Sequence, residues 1–383
     1  MSPRLAVIGA GPIGLEAAIR GRERGWEVTV LEAGQVGENL RRWGHVRFFT
    51  PLRMNLSPLA NQWLGNDLLD PEALLFGAEF VQRVLQPLAR KLEVREHHRV
   101  IRVGRRRLSR SELPGHPLRA RRPFELLVEG PMGEELRCFD GVCDATGVYG
   151  APRWLGRGGI PVPGERGAQI ERHLPDTGAD PEGWRSSAVV VIGNGHSAAT
   201  LIGELARLRE GGGGPVGWLV PDDRSRPVDE VAEDPLPARR DAVRLANDLA
   251  SQPPAWLNLY RRAALLQIQP GRLRVATRVG EVEVPWDRLA GMVGYRPEPG
   301  MLEELAVRVD PAFEGGSGLA GALSRVTDCL AKVELKFADL DSGEPDLYLV
   351  GHRSYGRRNT FLLQTGIKQL DLLFSNWKLG RRD

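Results

Sequence analysis

Arg4 to Ile8 is a short apolar run, long enough for one buried strand. It passes straight into Gly9-Ala10-Gly11-Pro12-Ile13-Gly14. Apolar residues then recur at helical spacing from Leu15 to Arg24, closed by Gly25. A second strand, Trp26 to Leu31, ends on Glu32. The pattern predicts strand, helix, strand. It returns later in the chain. Ser187 to Ile192 reads as a strand, Gly193-Asn194-Gly195-His196-Ser197-Ala198 as the turn, and a helix runs to about Glu210. Val216 to Val220 is the second strand of that unit.

Between these repeats the pattern changes twice. Ser57-Pro58 and Asp70-Pro71-Glu72 are helix start signals. Leu74, Phe80, Val81, Val84, Leu85 and Leu88 follow at helical spacing, with Pro87 expected to bend the helix. From Leu92 the pattern is β: Leu92 to Glu96, Arg99 to Val103, Phe124 to Val128 and Glu135 to Phe139 are expected to form a small antiparallel sheet. Arg102, Arg105, Arg106, Arg107, Arg110, Arg119, Arg121 and Arg122 crowd its middle. A solvated hairpin is the expectation there rather than an anion-binding patch, because no aromatic residues interleave as a nucleic-acid platform needs. Gly141 to Gly147 is a strand ending in Asp144-Ala145-Thr146-Gly147, followed by a proline-rich exit. After the second repeat come a helix, Arg239 to Ala250, and a hairpin, Leu273 to Ala276 with Glu281 to Val284. Met292 to Glu298 crosses back, Asp346 to His352 is a last buried strand, and a final helix starts from Phe361. The fold class expected is α/β, with two Rossmann-like dinucleotide-binding domains, the second inserted in the first. The boundaries read from the chain are 1–152 and 299–383 for the first domain and 153–298 for the second.

The glycines give the repeats their chemistry. Gly9 permits a tight turn, Gly11 lets a pyrophosphate approach the backbone, and Gly14 lets helix and strand pack closely. The helix N-terminus adds free N–H groups and partial positive charge. Glu32 stands where a carboxylate accepts both hydroxyls of an adenosine ribose. The second repeat has Ala198 at the third fingerprint position, which tolerates it. Its second strand ends without Glu, running instead into Asp222-Asp223-Arg224-Ser225-Arg226. Arg224 or Arg226 on a 2′-phosphate favours NADPH; Asp222 or Asp223 on a ribose diol is the alternative.

Composition adds limits. The 383 residues suffice for two or three domains. A net charge of +3 does not call for nucleic acid. Cys138, Cys143 and Cys329 make no disulfide framework and no C-x-x-C pair. No apolar run has membrane-spanning length, and the first core strand begins at once. A cytoplasmic protein is expected, with no membrane or nucleic-acid partner. His97 and His98 are adjacent on an extended run, point to opposite faces and do not share a metal.

These motifs together resemble the two-dinucleotide-binding flavoproteins, especially the flavin-containing (class B) monooxygenases and the related N-hydroxylating monooxygenases. The resemblance is carried by GAGPIG with Glu32, by DATG, GNGHSA and GYRPE, and by LYLVGHRSYG with FLLQTG. It implies FAD at the first site and NADPH at the second. By position, Gly9, Gly11, Pro12, Ile13, Gly14, Glu32 and Ala33 are expected on the FAD adenosine diphosphate, with Val100 meeting the adenine through its backbone. Arg41, Trp43, Thr146, Gly147, Gly351, Thr360 and Phe361 are expected beside the flavin. Gly193, Gly195, His196 and Ser197 are expected on the NADPH pyrophosphate, with a local packing or capping role expected for His196 rather than proton chemistry.

The activity the resemblance implies is a monooxygenase that places one atom of O2 on a small molecule through a flavin peroxide. The F-x-G-x-x-x-H fingerprint of Baeyer–Villiger enzymes is absent, with Arg172-His173-Leu174-Pro175-Asp176 in its place, which favours N- or S-oxygenation. No catalytic residue is singled out. Phe49, Thr50, Asn55, Tyr355 and Asn359 are pocket candidates, with core packing the alternative for Phe48 and Phe49. The alternative activity is an NAD(P)H-dependent FAD oxidoreductase passing electrons to a quinone, protein or other acceptor. The oligomeric state is open, a homodimer included.

Overall fold

The computed structural model describes residues 2–65, 70–113, 116–298, 300–325 and 334–380. Within them the chain divides into two compact units. One comprises Met1–Ala151 with Tyr295–Asp383, and the other Pro152–Gly294, inserted between its halves. The strands of the first half are β1 (Arg4–Ile8), β2 (Glu27–Leu31), β3 (Glu93–Arg95), β4 (Arg99–Arg105), β5 (Phe124–Gly130), β6 (Gly133–Phe139) and β7 (Gly141–Asp144). The inserted unit holds β8 (Val189–Ile192), β9 (Val216–Leu219), β10 (Leu257–Tyr260), β11 (Ala264–Gln269), β12 (Arg272–Thr277), β13 (Gly280–Pro285) and β14 (Arg288–Gly291). β15 (Leu347–Leu349) returns to the first unit.

The first unit is built on a parallel sheet of order β15-β7-β1-β2-β3. Val7 of central β1 pairs with Val30 on one side and Cys143 on the other. Both faces are covered, so β1 reads as a nearly continuous apolar run rather than an alternation. Leu5 and Val7 face the helices Pro12–Glu23 and Leu363–Asn376. Ala6 and Ile8 face a second, antiparallel sheet of order β4-β5-β6 through Val103, Phe124 and Leu126.

Three expectations need correction here. The run Leu92 to Glu96 does not join the antiparallel sheet; its core, β3, pairs parallel with β2 through Thr29↔Glu93 and Leu31↔Arg95. The turn at His97, whose φ is 56°, then sends the chain into the other sheet. The helix expected after Pro71 starts at Gly77 instead, because Glu79 accepts the Phe76 N–H at 2.8 Å and so fixes the first turn. Pro87 does not simply bend that helix. A π-helical turn, Val81–Leu85, precedes Gln86–Ala89. Ser57 is the cap expected of it, its Oγ accepting from Ala60 N–H at 3.0 Å.

The arginine-dense hairpin also departs from a purely solvated reading. Arg105 and Arg119 are buried with Glu344 between them: Arg105 Nε donates to Glu344 at 2.7 Å and Arg119 Nε at 3.1 Å. Arg105 lies over the Phe124 ring, 3.7 Å from its centroid. Charge-assisted hydrogen bonds to Glu344 and to the carbonyls of Ser109, Glu112, Arg122 and Pro345 offset the desolvation that otherwise bars such a burial.

The inserted unit repeats the plan on a parallel sheet of order β10-β9-β8-β14. The helices His196–Leu208 and Pro237–Ser251 pack together in it, and β11-β12-β13 is an antiparallel meander where the sequence pattern suggests a two-stranded hairpin. The expected fold class, α/β with two Rossmann-like domains and the second inserted in the first, is the fold observed.

Candidate dinucleotide sites

The first site forms where β1 meets its helix. Gly9 has φ of 103°, and a Cβ there would lie 2.8 Å from the Ala145 carbonyl oxygen. A Cβ on Gly14 would lie 1.9 Å from the Gly9 carbonyl oxygen. Both glycines are required by the turn itself. Gly11 is different. Its backbone is extended, it caps the helix with no side-chain bond, and nothing lies within 4 Å of where its Cβ would be. The fold leaves that face of the turn open, as approach of a pyrophosphate requires. Pro12 takes the first helical position, where no N–H is missed.

Glu32 closes this turn from the end of β2. Its carboxylate accepts Ala10 N–H at 2.7 Å and Gly34 N–H at 2.8 Å. Burial raises its pKa above the usual range, against the lowering effect of those two bonds. Ala33 beside it is exposed. Val100 buries its side chain in the core and pairs with Val128 on β5. The neighbouring His98 N–H bonds the Glu32 carbonyl, which brings the start of β4 alongside.

An aromatic belt crosses the same end of the sheet. Trp43 meets Phe48 at 5.2 Å and Tyr149 at 6.4 Å between ring centroids. Tyr149 meets Tyr295 at 4.8 Å and His352 at 5.8 Å. His352 stacks on Phe361 at 5.1 Å, and Phe361 meets the buried Tyr355. Burial pushes the His352 pKa down to about 4, although its Nε2 lies 3.1 Å from the Arg358 carbonyl. Trp43 Nε1, His45 Nε2 and Thr360 Oγ1 are buried without a hydrogen-bond partner, an arrangement that costs stability until an acceptor or donor arrives. Ile13 ties the fingerprint to the last elements of the chain. A Cβ on Gly351 would meet its side chain at 3.0 Å, and one on Gly366 at 2.6 Å.

Asp144 of the D-A-T-G turn is wholly buried. It accepts from Thr146 N at 3.1 Å, from Thr146 Oγ1 at 2.6 Å and from Arg353 Nε at 2.9 Å. Gly147 follows with φ of 71° and open space around it. Arg41 is exposed, with Nε on the Val36 carbonyl. Of the pocket candidates, Thr50 and Asn55 spend their polar atoms on each other, at 2.7 and 3.0 Å, inside the core. Phe48 packs on Phe80, Phe49 is half-buried, and Asn359 is exposed. The sequence reading assigns no site role to the belt residues Tyr149, Tyr295 and His352. Their signal is Tyr149 directly after D-A-T-G-V and Tyr295 within G-Y-R-P, where the chain leaves and re-enters this unit, and His352 directly after L-Y-L-V-G.

The inserted unit carries the second site. Gly193 has φ of 125°, and a Cβ there would lie 2.3 Å from the Met292 carbonyl oxygen. Gly195, like Gly11, caps its helix in extended backbone with open space. His196 is the first helical residue, its pKa lowered by burial and by the charge of Arg239. Ser197 is exposed. Arg224 donates from Nε and Nη2 to Asp222 Oδ2, at 3.0 and 2.7 Å, and from Nη1 to Asp229 at 2.5 Å. Arg226 is held by Glu230 at 2.7 Å and Asp248 at 2.8 Å.

Comparison with known proteins agrees with this geometry. The family described as pyridine nucleotide-disulphide oxidoreductase matches residues 6–61. The bacillithiol disulfide reductase Bdr (YpdA) from Bacillus cereus superposes with a TM-score of 0.70 over 98% of each chain, at 18% identity. The fold is that of the two-dinucleotide-binding flavoproteins. DfoA from Erwinia amylovora, a cadaverine monooxygenase bound to FAD, shares it with a TM-score of 0.64 over 100% of this chain and 97% of its own, at 13% identity. A variant of the flavin monooxygenase from Stenotrophomonas maltophilia shares it at 0.63, over 98% and 97%, at 19% identity. A search of curated protein sequences finds no match. The two-dinucleotide-binding fold hosts both reductases and monooxygenases, so the activity must be argued from the site.

Proposed function

We propose that this chain is a flavin-dependent oxidoreductase that binds FAD in its first domain, 1–152 with 299–383, and NADPH in 153–298, and works as a monooxygenase on a small molecule. The observation that carries the cofactor reading is the paired fingerprint. Each has a glycine that the turn requires, Gly9 or Gly193, and an open backbone at Gly11 or Gly195. The residues of the first unit fit FAD: Gly11 and the helix start hold the pyrophosphate, and Glu32 keeps lone pairs for the ribose hydroxyls beside its two backbone bonds. FAD, when bound, supplies the acceptor for hydride and the centre that reacts with O2.

The chain's own part is orientation and exclusion of water. Arg353 and Asp144 fix the D-A-T-G turn, and the Ile13 side chain packs closely on Gly351 and Gly366. The belt from Trp43 to Phe361 makes the wall apolar, which favours oxygen transfer over loss to water. Neutral His352 adds no charge to that wall. A protein-borne dithiol is not offered by the described cysteines. Cys143 lies wholly buried within the parallel sheet, its thiol pushed far up by burial, and Cys138 stands on β6 of the other sheet. Cys329 lies outside the described residues. Amines and thioethers are the substrates this reading favours.

The test is turnover with NADPH under isotopically labelled dioxygen, across a panel of amines and thioethers. Label in the product, with NADPH and O2 consumed in equal amounts, supports the reading. Turnover that persists without O2, on a quinone or disulfide, makes the protein a reductase.

A further inference from the structure

Resting on the assignment of NADPH to the inserted unit, we propose that Asp229 is a built-in stand-in for the nucleotide's 2′-phosphate. Its carboxylate occupies Arg224 in the free protein and yields the guanidinium to the phosphate.

The ribose end of the second site can be located by hydrogen bonds that the two units share. In the first, Gly9 N–H bonds the Leu31 carbonyl, Glu32 N–H bonds Arg95, and the Glu32 carbonyl takes His98 N–H. In the second, Gly193 N–H bonds the Leu219 carbonyl, Val220 N–H bonds Tyr260, and the Val220 carbonyl takes Ala263 N–H. Val220 therefore stands in the place of Glu32. It is apolar and wholly buried, so no carboxylate waits there for ribose hydroxyls.

Asp222, two residues on, does not replace it. Its Oδ2 takes Arg224 Nε, Arg224 Nη2 and Asn194 Nδ2, the last at 3.3 Å, and its Oδ1 takes Arg224 N–H at 3.2 Å. That carboxylate is saturated. It also links Arg224 to Asn194, inside the fingerprint turn itself. The guanidinium is thus fixed at the rim where the adenosine ribose of a bound dinucleotide ends.

One edge of the guanidinium is held differently. Nη1 donates to Asp229, whose side chain is 81% exposed, while that of Arg224 is 47% exposed. An exposed carboxylate on such an edge is weakly held, and a phosphate dianion is the stronger acceptor. Arg226 lacks this freedom, because its partner Glu230 is also held by Asn247 Nδ2 at 2.8 Å and its partner Asp248 belongs to the helix Pro237–Ser251. Arg262 and Arg278 add positive charge at Asp223, 3.1 and 3.7 Å away.

The experiment is calorimetric titration of the full chain with adenosine 2′,5′-bisphosphate and with AMP. Wild type should prefer the bisphosphate. Asp229→Asn should tighten the bisphosphate about two- to fivefold, the scale of an exposed ion pair removed from competition. It should leave AMP unchanged. Arg224→Ala should abolish the preference, a loss of about tenfold or more. Asp248→Asn, which removes one of the two partners of Arg226 instead, should change neither ligand. Equal affinities in Asp229→Asn and wild type overturn the inference while bisphosphate binding upholds the nucleotide site. A gain in Asp248→Asn alone assigns the phosphate to Arg226 and also overturns it. Binding of neither ligand overturns the nucleotide assignment beneath it.

Discussion

Arg353 and Asp144, far apart in sequence, form a buried ion pair at 2.9 Å that pins the D-A-T-G turn to the short helix His352–Tyr355. Arg353 Nη1 also reaches the Glu314 carbonyl, and Glu314 in turn binds Arg296 and Arg357. One side of the first site is therefore assembled from residues that meet only after the inserted unit has been traversed. Removing one partner of such a pair leaves a buried charge uncompensated, which costs about 3–5 kcal/mol. Arg353→Ala should lower the urea midpoint of the first unit accordingly. A change no larger than that of an exposed-surface alanine control would show that the pair does not hold the turn.

The two kinds of glycine in the first fingerprint should separate cleanly. The Cβ of a Gly11→Val variant has no atom within 4 Å and the backbone there is ordinary, whereas a Cβ at Gly14 strikes the Gly9 carbonyl. We expect Gly11→Val to fold with a wild-type melting temperature yet emerge colourless. Gly14→Val should lose stability with or without flavin. Absorbance and thermal melting of both variants check this, and a yellow Gly11→Val protein would place the pyrophosphate elsewhere.

His352 should leave a mark on the pH dependence of stability. Its folded pKa is about 4, held down first by burial and only partly restored by the Arg358 carbonyl. An unfolded histidine titrates near its ordinary value of about 6.5. Between these values the unfolded chain binds a proton that the folded chain refuses, so stability falls as pH drops through that window. The full effect is about 3 kcal/mol, reached near pH 4. His352→Phe keeps a ring on Phe361 and should flatten the slope from about pH 6.5 to 5. Denaturation at stepped pH measures it; parallel slopes in the two proteins would mean that His352 is accessible to protons when folded.

The aromatic belt should govern how NADPH is spent. Trp43 spans Phe48 and Tyr149, and its indole N–H has no partner. Trp43→Ala opens that wall to water, so hydrogen peroxide released per NADPH oxidised should rise several-fold at unchanged FAD content. Peroxide yield at the wild-type level would make Trp43 a packing residue.

Much of this was legible in the sequence because local rules decided it. The fingerprints, the Ser57 cap and the buried parallel strands each follow from spacing and residue type within a few positions. What the sequence hid are relationships across long separations. β3 looks like its neighbour β4, but pairs with β2 because a left-handed His97 turns the chain between sheets. Arg105 and Arg119 look like surface charge until Glu344 arrives from the far end of the chain. Arg224 was visible as a phosphate reader, yet its occupation by Asp229 depends on the fold of the loop beyond Pro227.

The central claim is that one chain carries a flavin and the nicotinamide dinucleotide that reduces it. Anaerobic titration of the FAD-loaded protein with NADPH tests this most directly, followed by the flavin's visible absorption. The account predicts that the yellow colour bleaches in proportion to NADPH added and returns when air is admitted. A flavin that stays oxidised in excess NADPH and in excess NADH alike would contradict it.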